Sequence, residues 1–286
     1  YDVEVKNIHV SGPNSFDFSA PDYKTRIHVA DYPMGDSNGN GEVTGADATN
    51  TVDHILERYT ERFIEKAADV NTDGVITVSD VTAAIDIVLE RPASSPMRKV
   101  ARISAEPSAD NVYIDNVSMA NGQQQTIDLK LTNKDQYIAF QCDIMLPEGL
   151  TAATNEKQVP MVNVCGADAQ THVVQADYIG SGALRLIVMS MSNSAFAADD
   201  NNVVSLTVEA NSNVLGQKDI DIQNVRLVSV ADHTESVVPD TRATINIVDP
   251  ATGFNSIASG KNLQVTEEGR EIVIVSDSDT TVTLAA

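Results

Sequence analysis

The sequence predicts a mainly β protein that carries one small helical module near its N-terminus. Three observations predict it. From Val112 to Val248 apolar and polar residues alternate with period two, interrupted by Gly/Asn/Asp turns and by no helical stretch. Between Asp36 and Leu89, apolar residues instead recur at three- and four-residue spacing behind each of two Asp/Asn/Gly-rich loops. The segment from Glu90 to Asp110 holds Pro92, Pro96, Pro107 and several serines, a composition that breaks helix and reads as a linker.

In chain order, residues 1–33 form a short β-rich segment with alternating pieces Val3 to Ile8 and Arg26 to Val29 around Gly12-Pro13-Asn14-Ser15. Two copies of one loop pattern follow. The first runs from Asp36 to Asp47 and the second from Asp69 to Asp80, offset by 33 residues (69 minus 36). Both are twelve residues long, with oxygen side chains at positions 1, 3, 5, 9 and 12 and glycine at position 6. A calcium ion takes about six to eight oxygens, and a tight loop supplies them from alternate side chains, a backbone carbonyl and a closing carboxylate. Gly41 and Gly74 stand where the chain must turn sharply. Behind the loops, Val52, Ile55, Leu56, Tyr59 and Phe63 are expected on one helix face, and Val81, Ala84, Ile85, Val88 and Leu89 on another. Neither stripe is long enough to be stable alone, so the two are expected to pack on each other. Asp47 and Asp80 fall where a helix dipole favours negative charge.

Beyond the linker, strands are expected at Gln125–Thr132, Ile138–Leu146, Val173–Ala176, Leu184–Ser190, Val203–Glu209, Ile220–Ile222 with Val225–Val228, and Thr244–Val248. About eight or nine strands without helix mean a sandwich or jelly roll. Residues 250–286 add strand-like pieces at Leu263–Thr266, Glu271–Ser276 and Thr281–Leu284.

At 286 residues the chain suits two or three domains, and its 42% apolar share is enough for real cores. A net charge of −22 excludes a nucleic-acid partner, because nothing would neutralise phosphates. No apolar run is long enough to cross a membrane, and no signal peptide is recognisable. The first residue is Tyr1, which fits an exported protein whose signal has been removed. The two cysteines, Cys142 and Cys165, form no disulfide framework, and Cys142 reads as a buried thiol in an apolar strand.

The Asp-x-Asn-x-Asp-Gly core of the second loop and its closing Asp80, ahead of an apolar helix, resemble the dockerin module of bacterial cell-surface and cellulosome-type proteins. The resemblance covers residues 34–92 and implies two calcium ions. Asp36, Asn38, Asn40, Thr44 and Asp47 would hold one, and Asp69, Asn71, Asp73, Thr77 and Asp80 the other, with Glu42 and Val75 contributing backbone oxygens. The closing position is aspartate in both loops where the usual calcium helix-loop-helix has glutamate. The repeat offset exceeds the family's habit because Glu57 to Ala68 adds helical sequence between the repeats. Residues 110–249 resemble a cohesin domain, through the Thr126–Thr132 strand, the strand ending in Leu146-Pro147-Glu148-Gly149-Leu150, the Leu184–Ser190 strand, Val203–Ala210 and Ile222–Leu227. Cohesins share their fold with a group of carbohydrate-binding modules.

The resemblances imply a non-catalytic, exported calcium-binding protein for cell-surface assembly or adhesion. Its partner would be a protein of cohesin or dockerin type, or the chain's own other module. An alternative is a polysaccharide-binding sandwich with the dockerin-like unit as a calcium-stapled spacer, for which Tyr113, Tyr137 and Tyr178 are the candidate platform in a chain without Trp. A nucleophile elbow and zinc-type histidine spacing are both absent, and His9, His28, His54, His172 and His233 are scattered.

Overall fold

The computed structural model describes residues 2–6, 9–12, 16–19, 23–26, 32–90, 110–197, 201–231, 233–249, 263–268 and 271–276. Two strand pairs open the chain: β1 (Asp2–Val5) lies antiparallel to β4 (Tyr23–Arg26), and β2 (His9–Gly12) to β3 (Phe16–Ser19). The linker expected at 93–109 and the piece at Thr281–Leu284 lie outside the described residues.

The helical module contains α1 (Gly45–Ile55), a single turn α2 (Glu65–Ala68) and α3 (Val78–Val88). Both long helices begin the same way. Thr44 and Thr77 are the N-caps, and Asp47 and Asp80, three residues on, return a side-chain bond to the cap backbone. Such a reciprocal box satisfies two of the amides that every helix start leaves unpaired. Helix α1 ends at Leu56 because Glu57 turns left-handed at φ 55°. The expected stripe through Tyr59 and Phe63 therefore does not form: Tyr59 is 91% exposed and Phe63 stacks on His54 at 3.9 Å. The inserted stretch is also mostly irregular, with helix only at Glu65–Ala68. Glu90 (φ 52°) does at the end of α3 what Glu57 does for α1, and leaves Val88 and Leu89 exposed.

Twelve strands then build a two-sheet sandwich: β5 (Asn111–Ile114), β6 (Val117–Ala120), β7 (Gln124–Thr132), β8 (Tyr137–Met145), β9 (Leu150–Ala152), β10 (Val162–Val164), β11 (His172–Tyr178), β12 (Leu184–Ser190), β13 (Asn201–Ala210), β14 (Gly216–Ser229), β15 (Glu235–Val237) and β16 (Thr241–Val248). One sheet runs β10-β13-β7-β5 with β9 also on β13, and the other runs β11-β12-β8-β14-β16-β6 with β15 also on β14. All pairs are antiparallel except β16 with β6. Period two sets the core: Ile127, Leu129 and Leu131 of β7 point inward, while Thr126 and Asp128 face solvent. At the C-terminal end β17 (Leu263–Glu268) pairs with β18 (Glu271–Ser276).

The seven-stranded sheet has two covered faces. Phe140, Cys142 and Ile144 of β8, with Leu184, Leu186 and Val188 of β12, face the sandwich core. The residues between them face the helices. Ala48, Val52, Ile55 and Leu56 of the α1 region and Val78, Val81 and Ile85 of α3 form one buried cluster with Ile138, Ala139, Ile187, Met189 and Val228 of the sheet. The molecule therefore stacks three layers, helices on sheet on sheet.

Candidate functional site

The two twelve-residue loops share one pattern of backbone-amide bonds. In the first, Asp36 accepts from Asn40 N (3.0 Å) and Gly41 N (2.9 Å); in the second, Asp69 accepts from Asp73 N (3.1 Å) and Gly74 N (3.0 Å). At position 3, Asn38 Oδ1 receives Asn40 N and Asn71 Oδ1 receives Asp73 N, both at 3.0 Å. At position 5, Asn40 and Asp73 each accept the amide of position 7 at 2.8 Å. The closing carboxylates bridge the loops: Asp47 takes the amides of Asn38 and Thr44, and Asp80 those of Asn71 and Thr77. Gly41 and Gly74 sit at φ 97° and 87°, a conformation that side chains rarely adopt.

Six amide bonds per loop, counted from these pairs, fix the side-chain oxygens of positions 1, 3, 5 and 12. The carboxyl side chains of Asp36, Asp47 and Asp80 are fully buried. Burial foremost, with Asp73 and Asp69 alongside, pushes the Asp80 carboxyl up to about 7. A divalent cation among those carboxylates would reverse that pressure. Among the described residues no set of three or more His, Cys, Asp or Glu side chains stands ready for a metal. The loops rely instead on mixed oxygens, carboxylate, amide, hydroxyl and carbonyl, the hard donors that calcium prefers. The donor set fits: Asp36, Asn38, Asn40, Thr44 and Asp47 with the Glu42 carbonyl would hold one ion. Asp69, Asn71, Asp73, Thr77 and Asp80 with the Val75 carbonyl would hold the other.

The module's second feature is its seat on the sandwich, where polar contacts ring the apolar centre. Arg58, just past α1, donates to Asp177 (2.8 Å), Gln175 (2.7 Å) and the Ala176 carbonyl (3.0 Å), and pairs with Asp53 at 3.1 Å. Arg185 of β12 is held by both oxygens of Asp143, directly across on β8, and donates to the Ile55 carbonyl at 3.2 Å. That carbonyl is one of the last in α1, where a cation meets the negative end of the helix. Glu57 accepts the Gly180 amide at 2.7 Å. On α3, Asp86 receives His233 Nε2 at 2.7 Å and Asn193 Nδ2 at 2.6 Å, while Thr82 bonds His233 Nδ1 at 2.9 Å. Thr77 donates to Glu235, which Arg226 holds at 2.7 Å.

Apart from Thr77, the ninth residue of the second loop, none of these contact residues carries a motif in the sequence. Gln141 and Asp143 come nearest, as polar residues inside an otherwise apolar β8; both are buried beneath the module. The candidate tyrosine platform does not assemble: Tyr137 is buried and donates to Asp110, Tyr113 lies on the five-stranded sheet, and Tyr178 lies on β11 of the other. Cys142 is buried and Cys165 half-buried, and both are free thiols. Of the scattered histidines, His172 lies in the sandwich stacked on Phe196 at 4.1 Å.

Residues 34–89 match the family model of the dockerin type I domain, which sets the class of the helical module. Solved structures of cohesins match about half of the chain. A non-cellulosomal cohesin from the archaeon Archaeoglobus fulgidus is 13% identical, covering 50% of this chain and 94% of that one at a TM-score of 0.39. The cohesin module of a family 33 glycoside hydrolase from Clostridium perfringens is 12% identical over 49% and 97%, at 0.41. A type I cohesin–dockerin complex from Clostridium thermocellum gives 11%, 49% and 99%, at 0.39. No curated protein matches the chain. Among the described residues no helix is long and apolar enough to cross a membrane.

Proposed function

We propose that the chain is a non-catalytic, exported calcium-binding assembly protein whose dockerin module, residues 34–92, is held on its own cohesin-like sandwich, residues 110–249. Two calcium ions, one per loop, order the module, and the ordered module offers α1 and α3 as a docking face. The observation that carries this reading is the joint burial of Val52, Ile55, Leu56, Val81 and Ile85 with Ile138, Ala139, Ile187, Met189 and Val228. An apolar centre inside a rim of paired charges is the anatomy of a protein–protein interface. The partner at that face is the chain's own other module, so a foreign cohesin or dockerin has to displace it.

Calorimetric titration of the full chain with calcium tests the metal part. Two binding events are expected, each lost separately in Asp36→Ala and Asp69→Ala. The docking part is tested by hydrogen exchange with calcium present, which should find the α1 and α3 amides as protected as those of β8. A module that binds calcium but exchanges as a free helix pair would refute the docking.

A further inference from the structure

The two loops are alike internally but not in what lies outside them. Every side-chain hydrogen bond found for residues 36–47 ends within residues 36–51. The second loop instead reaches the sandwich. Thr77, its ninth residue and the N-cap of α3, is 2% exposed and donates its hydroxyl to Glu235 of β15. Glu235 is itself 3% exposed, and its other oxygen is held by Arg226 of β14 at 2.7 Å. Ser79, two residues on and fully buried, closes the group through Thr77 Oγ1 (2.8 Å) and Asn71 Nδ2 (3.0 Å). The far end of α3 is fixed too, by His233 and Asn193 on Asp86.

We infer that Glu235, a residue of the sandwich, is a positioning residue for the second calcium site alone, so that filling this loop and seating the module on the sheet strengthen each other. The inference rests on the calcium reading above. Glu235 fixes the hydroxyl of a ligating position and turns its lone pairs; groups placed in this way commonly change metal affinity by about ten- to a hundredfold. The coupling is reciprocal, since whatever raises calcium affinity on docking must raise docking affinity on calcium binding by the same factor. The first loop has no such bond, so removing the Glu235 carboxylate leaves its affinity unchanged.

The test measures calcium affinity one loop at a time in the full chain. In an Asp36→Ala background only the second loop reports, and in an Asp69→Ala background only the first. Glu235→Gln is expected to weaken the second site about tenfold and leave the first unchanged. Ile187→Lys reaches the same end by another route. It places a charge under the helices, touches neither loop, and is expected to lift the module and weaken the second site more than the first. Unchanged affinity at the second loop in Glu235→Gln, or an equal loss at the two loops in that variant, overturns the inference. A single-loop background that takes up no calcium at all overturns the calcium reading itself. Calcium-free melting of the sandwich, unchanged in Glu235→Gln, shows that the fold is intact.

Discussion

Ile187 and Leu186 are neighbours on β12, both fully buried, yet they belong to different cores. Leu186 faces the five-stranded sheet, and Ile187 lies under α1 and α3. Ile187→Ala removes three carbons, worth about 2–3 kcal/mol once a modest cavity term is included. With the module lifted, Ile187 is at the surface and the truncation costs almost nothing. The whole loss therefore falls on docking, and weakens it by about 30- to 150-fold. Amide exchange in chelator reads this directly, because an eleven-residue helix such as α3 does not persist alone once it leaves the sheet. Protection along α3 should fall by that factor while β7 and β13 keep theirs. Leu186→Ala should do the reverse, lowering protection throughout the sandwich. Equal losses in α3 and β7 for Ile187→Ala, or no change in α3, would refute the separation into two cores.

At the proposed ligand positions the second loop has three carboxylates, Asp69, Asp73 and Asp80, and the first two, Asp36 and Asp47, so the second should fill first on calcium titration; first-loop filling would contradict the carboxylate argument. Burial lowers the pKa of His172 from its ordinary 6.5, so the folded sandwich binds this proton less readily than the unfolded chain does. The resulting stability is complete above about pH 6.5, is lost as pH falls toward the folded value, and then levels off, so going from pH 7.5 to pH 5 should shift the urea midpoint less favourably than in His172→Gln. Burial also pushes the Cys142 thiol well above its ordinary value, so a thiol reagent on the native protein should label Cys165 and spare Cys142 until the sandwich unfolds.

The loops were legible because their fold is written into consecutive residues: oxygens at alternate positions that take up the loop amides, and a glycine where the chain must turn. The strand periods of β7, β12 and β13 were legible for the same local reason. What the sequence hid depends on distant partners. Glu57 and Glu90 end their helices in left-handed geometry, a role that glycine or asparagine would have announced. Strand β14 reads as two pieces because Asn224, at φ 53°, and a register shift between Gln223 and Arg226 interrupt its alternation. β5, β6, β9, β10 and β15 are only three or four residues long, too short for a period to show. Gln141 and Asp143 look like a solvent face in any reading of β8 alone, yet both are buried, alternating with Ala139 on the side of the sheet that faces the helices.

That burial bears on how the sandwich behaves when cut free. A fragment beginning at Asp110 would keep its inner core but lay bare Ile138, Ala139, Ile187, Met189 and Val228 as one continuous apolar strip across three strands. Such a patch seeks cover. The excised domain is therefore expected to pair with itself or cling to other apolar surfaces, and its solubility is a property of the whole chain.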